Sequence, residues 1–209
     1  MRAKLPGLDD TLAYSIYVCS GIITWQFFAE VLQRCINIFI EQSNLIKKTS
    51  FPRSSLPAFV FLSSGINFLI IFGIFIAFLI ITNRFPGASI IAFLPLVIIQ
   101  MALALGLGIF FGTLNVFFRD VGYIVSIILQ FWFWLTPIVY PFEIIPEKFI
   151  PIMAINPLAG VVRCYQQIFL TNTWPDWETV IPAIIFACLF LLLGYLTFDK
   201  LAKEMVDEL

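Results

Sequence analysis

A cluster of three basic residues is the first feature of this sequence that could take part in chemistry. Lys47, Lys48 and Arg53 stand close together in NLIKKTSFPRSSLP (44–57), a stretch with two prolines and several hydroxyl side chains. Such a cluster can fix the orientation of a membrane protein, contact anionic lipid headgroups or dock a cytoplasmic partner protein. Because proline and hydroxyl residues start and cap helices, the docking interpretation predicts a short surface helix here.

A second candidate is a concentration of aromatic rings in ILQFWFWLTPIVYP (128–141). One interpretation is an aromatic belt, since Trp and Tyr favour the membrane–water interface. The other is a stacking surface for sugars, because the C–H faces of sugar rings are apolar while their hydroxyl groups form hydrogen bonds. Weak repeated contacts of this kind let a chain pass, whereas tight binding stalls it. The residues assigned to such a path are Trp25, Phe28, Phe131, Trp132, Trp134 and Tyr140.

A third candidate is the pair Arg119 and Asp120 in NVFFRDV (115–121). Adjacent residues on a helix point in different directions, so no mutual salt bridge is expected. Asp120 is predicted to cap the helix that follows, and Arg119 to mark the cytoplasmic side. The alternative is that this turn contacts a partner protein or a phosphate-bearing headgroup, which an arginine can bind.

The composition indicates that these residues belong to a membrane protein. Hydrophobic residues make up 61% of the 209-residue chain and charged residues only 12%, against about a quarter in an average soluble domain. So few charges cannot cover a soluble surface, and lipid must solvate most of it. The net charge of −1 gives no indication of nucleic-acid binding. The chain has no histidine and its four cysteines lack metal-ligand spacing, so no metal or cofactor is predicted in it.

Apolar segments long enough to cross the hydrocarbon predict five transmembrane helices in a single all-α domain covering 1–209. In the first, Glu30 and Arg34 are four residues apart and able to pair on one helix face. We expect them at the headgroup level, with 32–40 continuing into the cytoplasm as an amphipathic extension. Pro137 is expected to leave a carbonyl unpaired and to bend the fourth span. The predicted spans are about 11–35, 57–82, 88–112, 121–141 and 180–198.

The distribution of basic residues orients the chain. The loop 42–55 is predicted to be cytoplasmic because its basic residues are the most densely placed of any loop. The segment 142–179 then lies on the external side. It is predicted to form short helices, broken at Pro146, Pro151 and Pro157, that lie on or dip into the outer leaflet. They either gate a channel or form an interfacial cap over it.

Three stretches, in order, resemble the polysaccharide-export permeases of type-2 ABC transporters. GIITWQFFAEVLQRCINIFIEQSNLIKKTSFPRSSLP (21–57) is similar to the second span of that family and the loop after it. LGLGIFFGTLNVFFRDVGYIVSIILQFWFWLTPIVYP (105–141) resembles the most recognisable segment of the family. INPLAGVVRCYQQIFL (155–170) is similar to the motif ahead of its last span. The resemblance covers about residues 20–198.

The resemblance implies a permease subunit that exports undecaprenyl-linked polysaccharide, such as O-antigen, capsule or teichoic acid, across the bacterial inner membrane. It implies a homodimer in the lipid bilayer with two copies of a cytoplasmic ATPase subunit. That subunit would bind ATP and Mg²⁺, so no catalytic residue is expected in this chain. It makes 42–55 a coupling helix on the ATPase and 142–179 an external gate. The residues implied at the coupling contact are Asn44, Lys47, Lys48 and Arg53.

Members of the family normally have six spans. The resemblance therefore also implies that this sequence starts after the first span, with MRAKLPGLDDTLAY (1–14) in the following external loop. Two other functions stay open at this point. One is a type-2 ABC permease for a drug or another lipid-like substrate. The other is a membrane-embedded transferase acting on lipid-linked sugars, with candidate acidic residues Glu30, Asp120, Glu143 and Glu147.

Overall fold

The computed structural model describes residues 11–47, 55–142, 145–202 and 204–208. These residues form helices joined by short turns, and no strand occurs among them, which confirms the predicted all-α class. The α-helices are α1 (Thr11–Glu41), α2 (Ser43–Ile46), α3 (Ser55–Ile81), α4 (Phe93–Phe117), α5 (Asp120–Trp134), α6 (Ile150–Ile155), α7 (Pro157–Gln166), α8 (Ile181–Leu201) and α9 (Met205–Glu208). Tighter 3₁₀ turns at Gly87–Ala92, Glu147–Phe149 and Trp177–Val180 lead into α4, α6 and α8, and a π-helical turn at Gln167–Thr171 follows α7.

Four of the predicted spans coincide with helices that are long and apolar enough to cross a membrane. With their leading turns, these helices cover Leu12–Glu41, Ser55–Ile81, Gly87–Phe117 and Trp177–Leu201. Their outward-facing side chains are large and apolar over most of α3 and α8. Lipid is the solvent that such a surface requires, so the chain is a multi-pass membrane protein.

The prediction of one helix over 121–141 is wrong at its outer end, because α5 stops at Trp134. Pro137 has no N–H to donate and its ring clashes with the carbonyl one turn earlier, so the helix cannot continue through it. The 15 residues of α5 extend for about 22 Å, which is less than the ~30 Å of a typical hydrocarbon layer. An irregular segment, 135–141, follows; we call it the outer turn.

The helix α1 continues to Glu41 and so includes the extension predicted over 32–40. Leu32, Ile36 and Phe39 are completely buried in the main hydrophobic core. The stretch 32–40 is therefore a packed part of the bundle and not a free extension, while its position in the cytoplasm stays a prediction. Its surroundings come from helices far away in sequence, which the local pattern of α1 does not reveal.

Glycines allow α1, α4 and α8 to approach closely. A Cβ at Gly112 of α4 would lie 2.6 Å from the carbonyl oxygen of Cys35, and one at Gly108 would overlap the Cβ of Cys35. On another face of α4, Gly106 meets Gly194 of α8, where an added Cβ would lie 3.0 Å from the Gly106 carbonyl oxygen. Small residues at such contacts let helix backbones pack closely in lipid. α4 is therefore the central helix of the bundle.

The segment after the outer turn forms short helices, as predicted, but its prolines start helices more than they break them. Pro146 precedes the 3₁₀ turn at Glu147–Phe149, and Pro157 is the first residue of α7. Pro151 lies in the first turn of α6, where a missing N–H costs no hydrogen bond. The helical run from 147 to 155 therefore continues through Pro151.

The buried helix α7 closes the end of the bundle that is predicted to be external. Tyr165 of α7 and Phe169 just after it pack with Ile16 of α1, Phe75 of α3 and Leu96 of α4 in a second core cluster. The start of α1, the start of α4 and the end of α3 therefore meet around α7. The described residues of α2 and the start of α3 lie at the opposite end, which agrees with the alternating direction of successive spans.

A polar group joins α1 to α3 within otherwise apolar surroundings. Arg34 and Glu30 form an ion pair with Nη1 and Oε1 3.2 Å apart. Asn67 of α3 donates to the second Glu30 oxygen at 2.7 Å, and Arg34 donates to Ser64 Oγ at 3.3 Å. Ile66, between these two partners, is apolar and exposed. The pair is thus bound to α3, and its position at the headgroup level stays a prediction.

Replacement of Gly112 by alanine is expected to lower the melting temperature of the purified protein, because its Cβ meets backbone of α1. The matched control is Gly73→Ala in α3, where an added Cβ meets nothing within 4 Å. Alanine there gains up to about 1 kcal/mol of helix propensity, so stability should stay constant or rise. Thermal unfolding in detergent measures both. Equal shifts for the two variants would contradict the close packing of α1 and α4.

The ion pair predicts a non-additive double-mutant cycle. Glu30→Leu leaves a cation and Arg34→Leu leaves a carboxylate without its charged partner, so each single change should lower the melting temperature. Replacing both removes the charges together, and the double variant should be more stable than the sum of the two losses predicts. The expected coupling is about 1 kcal/mol, since the Arg34 side chain is 41% exposed to solvent or lipid. Strict additivity in the same unfolding assay would show that the pair contributes nothing.

Candidate functional site

Aromatic rings from α1 and α5 meet in one cluster around Trp132. Its ring lies edge-on to Phe28, with centroids 5.5 Å apart, and to Trp25, at 6.2 Å. Phe133 packs against Trp25 at 5.6 Å and against Trp134 at 5.4 Å. All four pairs have the edge-to-face geometry that the ring quadrupoles favour. These contacts hold α5 against α1.

An open cavity of about 450 Å³ lies beside this cluster, between α1 and α5. We call it the α1–α5 groove. Its wall combines aromatic rings with two exposed amides, those of Gln26 and Gln130. The amides can donate and accept hydrogen bonds, while the rings offer flat apolar surface. The lining residues are Trp25, Gln26, Leu129, Gln130, Phe133 and Trp134.

A row of polar side chains continues from the groove along α1. Gln26, Glu30, Gln33 and Asn37 follow one another at a spacing of three or four residues, which puts them on one helix face. Gln33 Nε2 donates to Ser126 Oγ of α5 at 3.0 Å. Polar side chains inside a membrane protein normally face other protein or a water-filled space, so this face of α1 is not a lipid face.

The structure brings three of the predicted path residues together and places a fourth behind them. Trp25 and Trp134 line the groove, and Trp132 lies at the centre of the ring cluster. Phe28 is completely buried and contacts the inner side of Trp132. It therefore supports the rings and has no surface of its own to offer.

The other two predicted path residues lie apart from the groove. Phe131 is 67% exposed and is not among the ring contacts of this cluster in the described part of the chain. Tyr140, in the outer turn, is half-buried, and its hydroxyl donates to the Trp134 carbonyl oxygen at 2.8 Å. Sequence reasoning missed Gln26 and Gln130. The sequence does mark both residues, because a glutamine amide is unusual in an apolar span.

Side chains from distant elements satisfy the backbone of the outer turn. Its carbonyl groups have left the helical hydrogen-bond pattern and need donors in apolar surroundings. Two tyrosines of α1 and a glutamine of α7 supply them. The bonds are Tyr14 Oη to Val139 O at 3.3 Å, Tyr17 Oη to Tyr140 O at 2.9 Å and Gln166 Nε2 to Pro137 O at 3.1 Å. The outer turn is therefore fixed against α1 and α7.

The predicted coupling residues lie partly outside the described residues. Asn44 belongs to the four-residue helix α2 and Lys47 follows it; both side chains are exposed. Lys48 and Arg53 are not among the residues that the structure describes. Ile46 is buried and fixes α2 to the core. A cleft of about 350 Å³ separates α2 from the start of α3; its lining residues are Gln42, Leu45, Ser55, Leu56 and Phe59.

The turn before α5 has a different cap from the one predicted. Arg119 and Asp120 are both exposed, and Asp120 is the first residue of α5, where its charge suits the helix dipole. The N-cap residue is Arg119, and its side chain forms no capping hydrogen bond. The backbone N–H of Gly122 instead donates to Asn115 Oδ1 at 2.8 Å, and Asn115 Nδ2 donates to the Ile36 carbonyl oxygen at 3.2 Å. Asn115 thus ties the start of α5 to α1.

Comparisons with known proteins agree with this architecture. Residues 3–170 match the family model described as ABC-2 type transporter. The chain is 33% identical over 210 residues to the O-antigen export system permease protein RfbA of Klebsiella pneumoniae, with all of this chain and 78% of that protein covered. A second RfbA from the same organism is 32% identical over the same extent. The RfbA of Myxococcus xanthus is 24% identical, with 79% of it covered.

The matched family model spans most of the chain, and the relatives match along its whole length. Membership of an ABC transporter family implies an ATPase partner. The chain therefore belongs to the ABC-2 type transporter family, as a membrane-spanning transport subunit and not an enzyme.

Proposed function

We propose that this chain is the permease subunit that exports a lipid-linked polysaccharide, of the O-antigen, capsule or teichoic-acid class, across the bacterial inner membrane. The observation that carries the proposal is the α1–α5 groove, in which two glutamine amides stand among aromatic rings on a membrane helix pair. The names of the relatives support it, since those proteins are called O-antigen export permeases.

Sugar rings match this groove chemically. Their axial C–H groups form an apolar face that packs on indole or phenyl rings, and their hydroxyl groups at the ring edge pair with amides. Each contact of this kind is weak, and adjacent sugars offer the same contacts in turn. A polymer can then advance by one unit without a large barrier, as conduction through a pore requires.

A second copy of the chain completes the path in this proposal. The α1–α5 groove is open on one side, and lipid there would leave the amides of Gln26 and Gln130 without partners. Two facing copies would enclose a polar path between them, with the apolar faces of α3 and α8 toward lipid. The proposed assembly is a homodimer with two ATPase subunits, which bind ATP and Mg²⁺ and contact the loop 42–55.

A second candidate substrate class is a drug or another lipid-like molecule. One observation favours it: a cavity of about 240 Å³ with an entirely apolar lining lies between α4, α5 and α8. Leu107 and Phe111 of α4, Leu129 and Trp132 of α5 and Phe190 of α8 are among its walls. An apolar substrate would form no hydrogen bonds with the exposed amides of the α1–α5 groove, so this candidate is second.

The aromatic residues predict a selective loss of export. Single replacements Trp132→Leu and Trp134→Leu keep apolar bulk but remove the flat ring, and each should lower export by about threefold or more, the usual worth of one aromatic contact. The measurement is surface polysaccharide in cells that depend on the variant, normalised to permease in the membrane. Tyr195→Leu, an exposed ring on α8, is the matched control and should export normally.

Two outcomes would contradict this prediction. If the amount of protein falls in step with export, the rings are structural. If all variants, including Tyr195→Leu, export normally while a hydrophobic dye accumulates in cells without the permease, the substrate is lipid-like. Accumulation of lipid-linked glycan inside cells that lack the permease is the result expected for the proposed function.

The loop 42–55 predicts a loss of ATPase binding. Replacing Lys47, Lys48 and Arg53 by alanine removes three positive charges from the proposed contact, so less ATPase should co-purify, most clearly at low salt, where surface charge is least screened. Membrane insertion should be unchanged. The control replaces Lys200 and Lys203, two basic residues near the end of α8, and should retain the ATPase. Unchanged co-purification and export in the triple variant would leave these residues only a role in topology.

A further inference from the structure

The side chain of Asn156 connects the external helices to the ring cluster. It lies between α6 and α7, and its Oδ1 accepts the indole N–H of Trp132 at 2.9 Å and the backbone N–H of Leu158 at 3.1 Å. Its Nδ2 donates to the Leu135 carbonyl oxygen and to Thr136 Oγ1, both at 3.2 Å. All the hydrogen-bonding groups of the amide are therefore engaged. One side chain joins α5, the outer turn and α7.

The bond from Asn156 is the directional restraint on Trp132. The ring's aromatic contacts, to Trp25 and Phe28, are edge-on packing contacts that tolerate a change of angle. Two cavities of about 240 Å³ each flank the ring, and Trp132 lines both. Space is therefore available on two sides of the indole, and packing alone does not fix its position.

The two helices that meet at Asn156 are packed very differently. α7 is buried along its whole length between α1 and α8. α6 packs mainly on the 3₁₀ turn before it and on α7, and Ile150 and Ile155 are exposed. The backbone N–H of Asn156 donates to the Met153 carbonyl oxygen of α6 at 3.2 Å, so a shift of α6 would act on Asn156 while α7 stays in place.

We propose that Asn156 is a positioning residue, which sets the orientation of the Trp132 ring according to the position of α6. This inference rests on the proposed function and makes the external helices regulators of the path. While Asn156 accepts the indole N–H, the ring of Trp132 packs against Trp25. When α6 shifts, the ring is released into the flanking cavities. The device works with one hydrogen bond and the free space beside the ring.

The test uses two substitutions that separate the capping role of Asn156 from its contact with Trp132. Asn156→Ser keeps a hydroxyl that can cap α7 but is too short to reach the indole. Asn156→Asp keeps both acceptor roles of Oδ1, replaces the amide donors by a second oxygen and adds a negative charge, which strengthens the bond from the indole N–H. The measurement is quenching of Trp132 fluorescence by acrylamide in lipid nanodiscs, with Phe in place of the other tryptophans, Trp25, Trp134, Trp174 and Trp177.

We expect Asn156→Ser to shift the ratio of held to released ring by about fivefold, the usual worth of one hydrogen bond, and so to raise quenching clearly. Asn156→Asp should stay close to the unsubstituted protein. So should Asp176→Asn, which alters another capping side chain of the external segment with no ring attached to it. Equal quenching in Asn156→Ser and the unsubstituted protein would overturn the proposal, as would a rise in Asn156→Asp as large as that in Asn156→Ser.

Export assays keep this inference distinct from the proposed function. Trp132→Phe retains a ring but lacks the N–H donor, so in a double variant with Asn156→Ser the two export losses should not add. Additive losses would overturn the positioning role. If quenching responds as expected but no Trp132 variant changes export, the sugar path fails and the link between α6 and Trp132 stands.

Discussion

Seven residues after Trp134 leave the helical hydrogen-bond pattern at a place where lipid supplies no donors, and much of the outer half of the protein depends on how they are satisfied. Tyr14 and Tyr17 can reach them because Gly21 lets the outer turn lie on α1, where an added Cβ would be 3.1 Å from a methyl of Ile138. Gln166 reaches them because α7 is buried. The position of α7, the start of α1 and the end of α5 are consequently fixed by one requirement.

The helices of the bundle are joined by two kinds of contact. α1, α4 and α8 are joined through backbone contacts at glycines, which leave no room for sliding. α5 is joined to α1 by aromatic rings and by the hydrogen bond between Gln33 and Ser126. α3 is joined to α1 by the stacked rings of Phe27 and Phe68 and by the polar group around Glu30. Ring and polar contacts of this kind can be exchanged for others at small cost, whereas a backbone contact cannot.

The sequence predicted the positions of the helices better than the contacts between them. Hydropathy alone located α3, α4 and α8, because each is apolar over its full length. Pro137 marked where α5 breaks, but the donors that make the break tolerable come from residues over 25 positions away, and no local pattern names them. Asp120 was predicted to cap α5 by a local rule, while Asn115 reaches Gly122 from the preceding helix. Contacts across elements decided each of these cases.

The candidate site shows the same limit from another side. Rings at 25, 132 and 134 were found from composition, yet Phe28 and Phe131, of the same residue type, have opposite surroundings, one buried and one exposed. What distinguishes a path from a belt is the presence of amides among the rings, because an amide facing lipid loses its hydrogen bonds and an amide facing a sugar keeps them. Gln26 and Gln130 line the same groove only once α5 is in place. The chemical character of the groove is therefore a property of the pairing of α1 with α5, and neither helix has it alone.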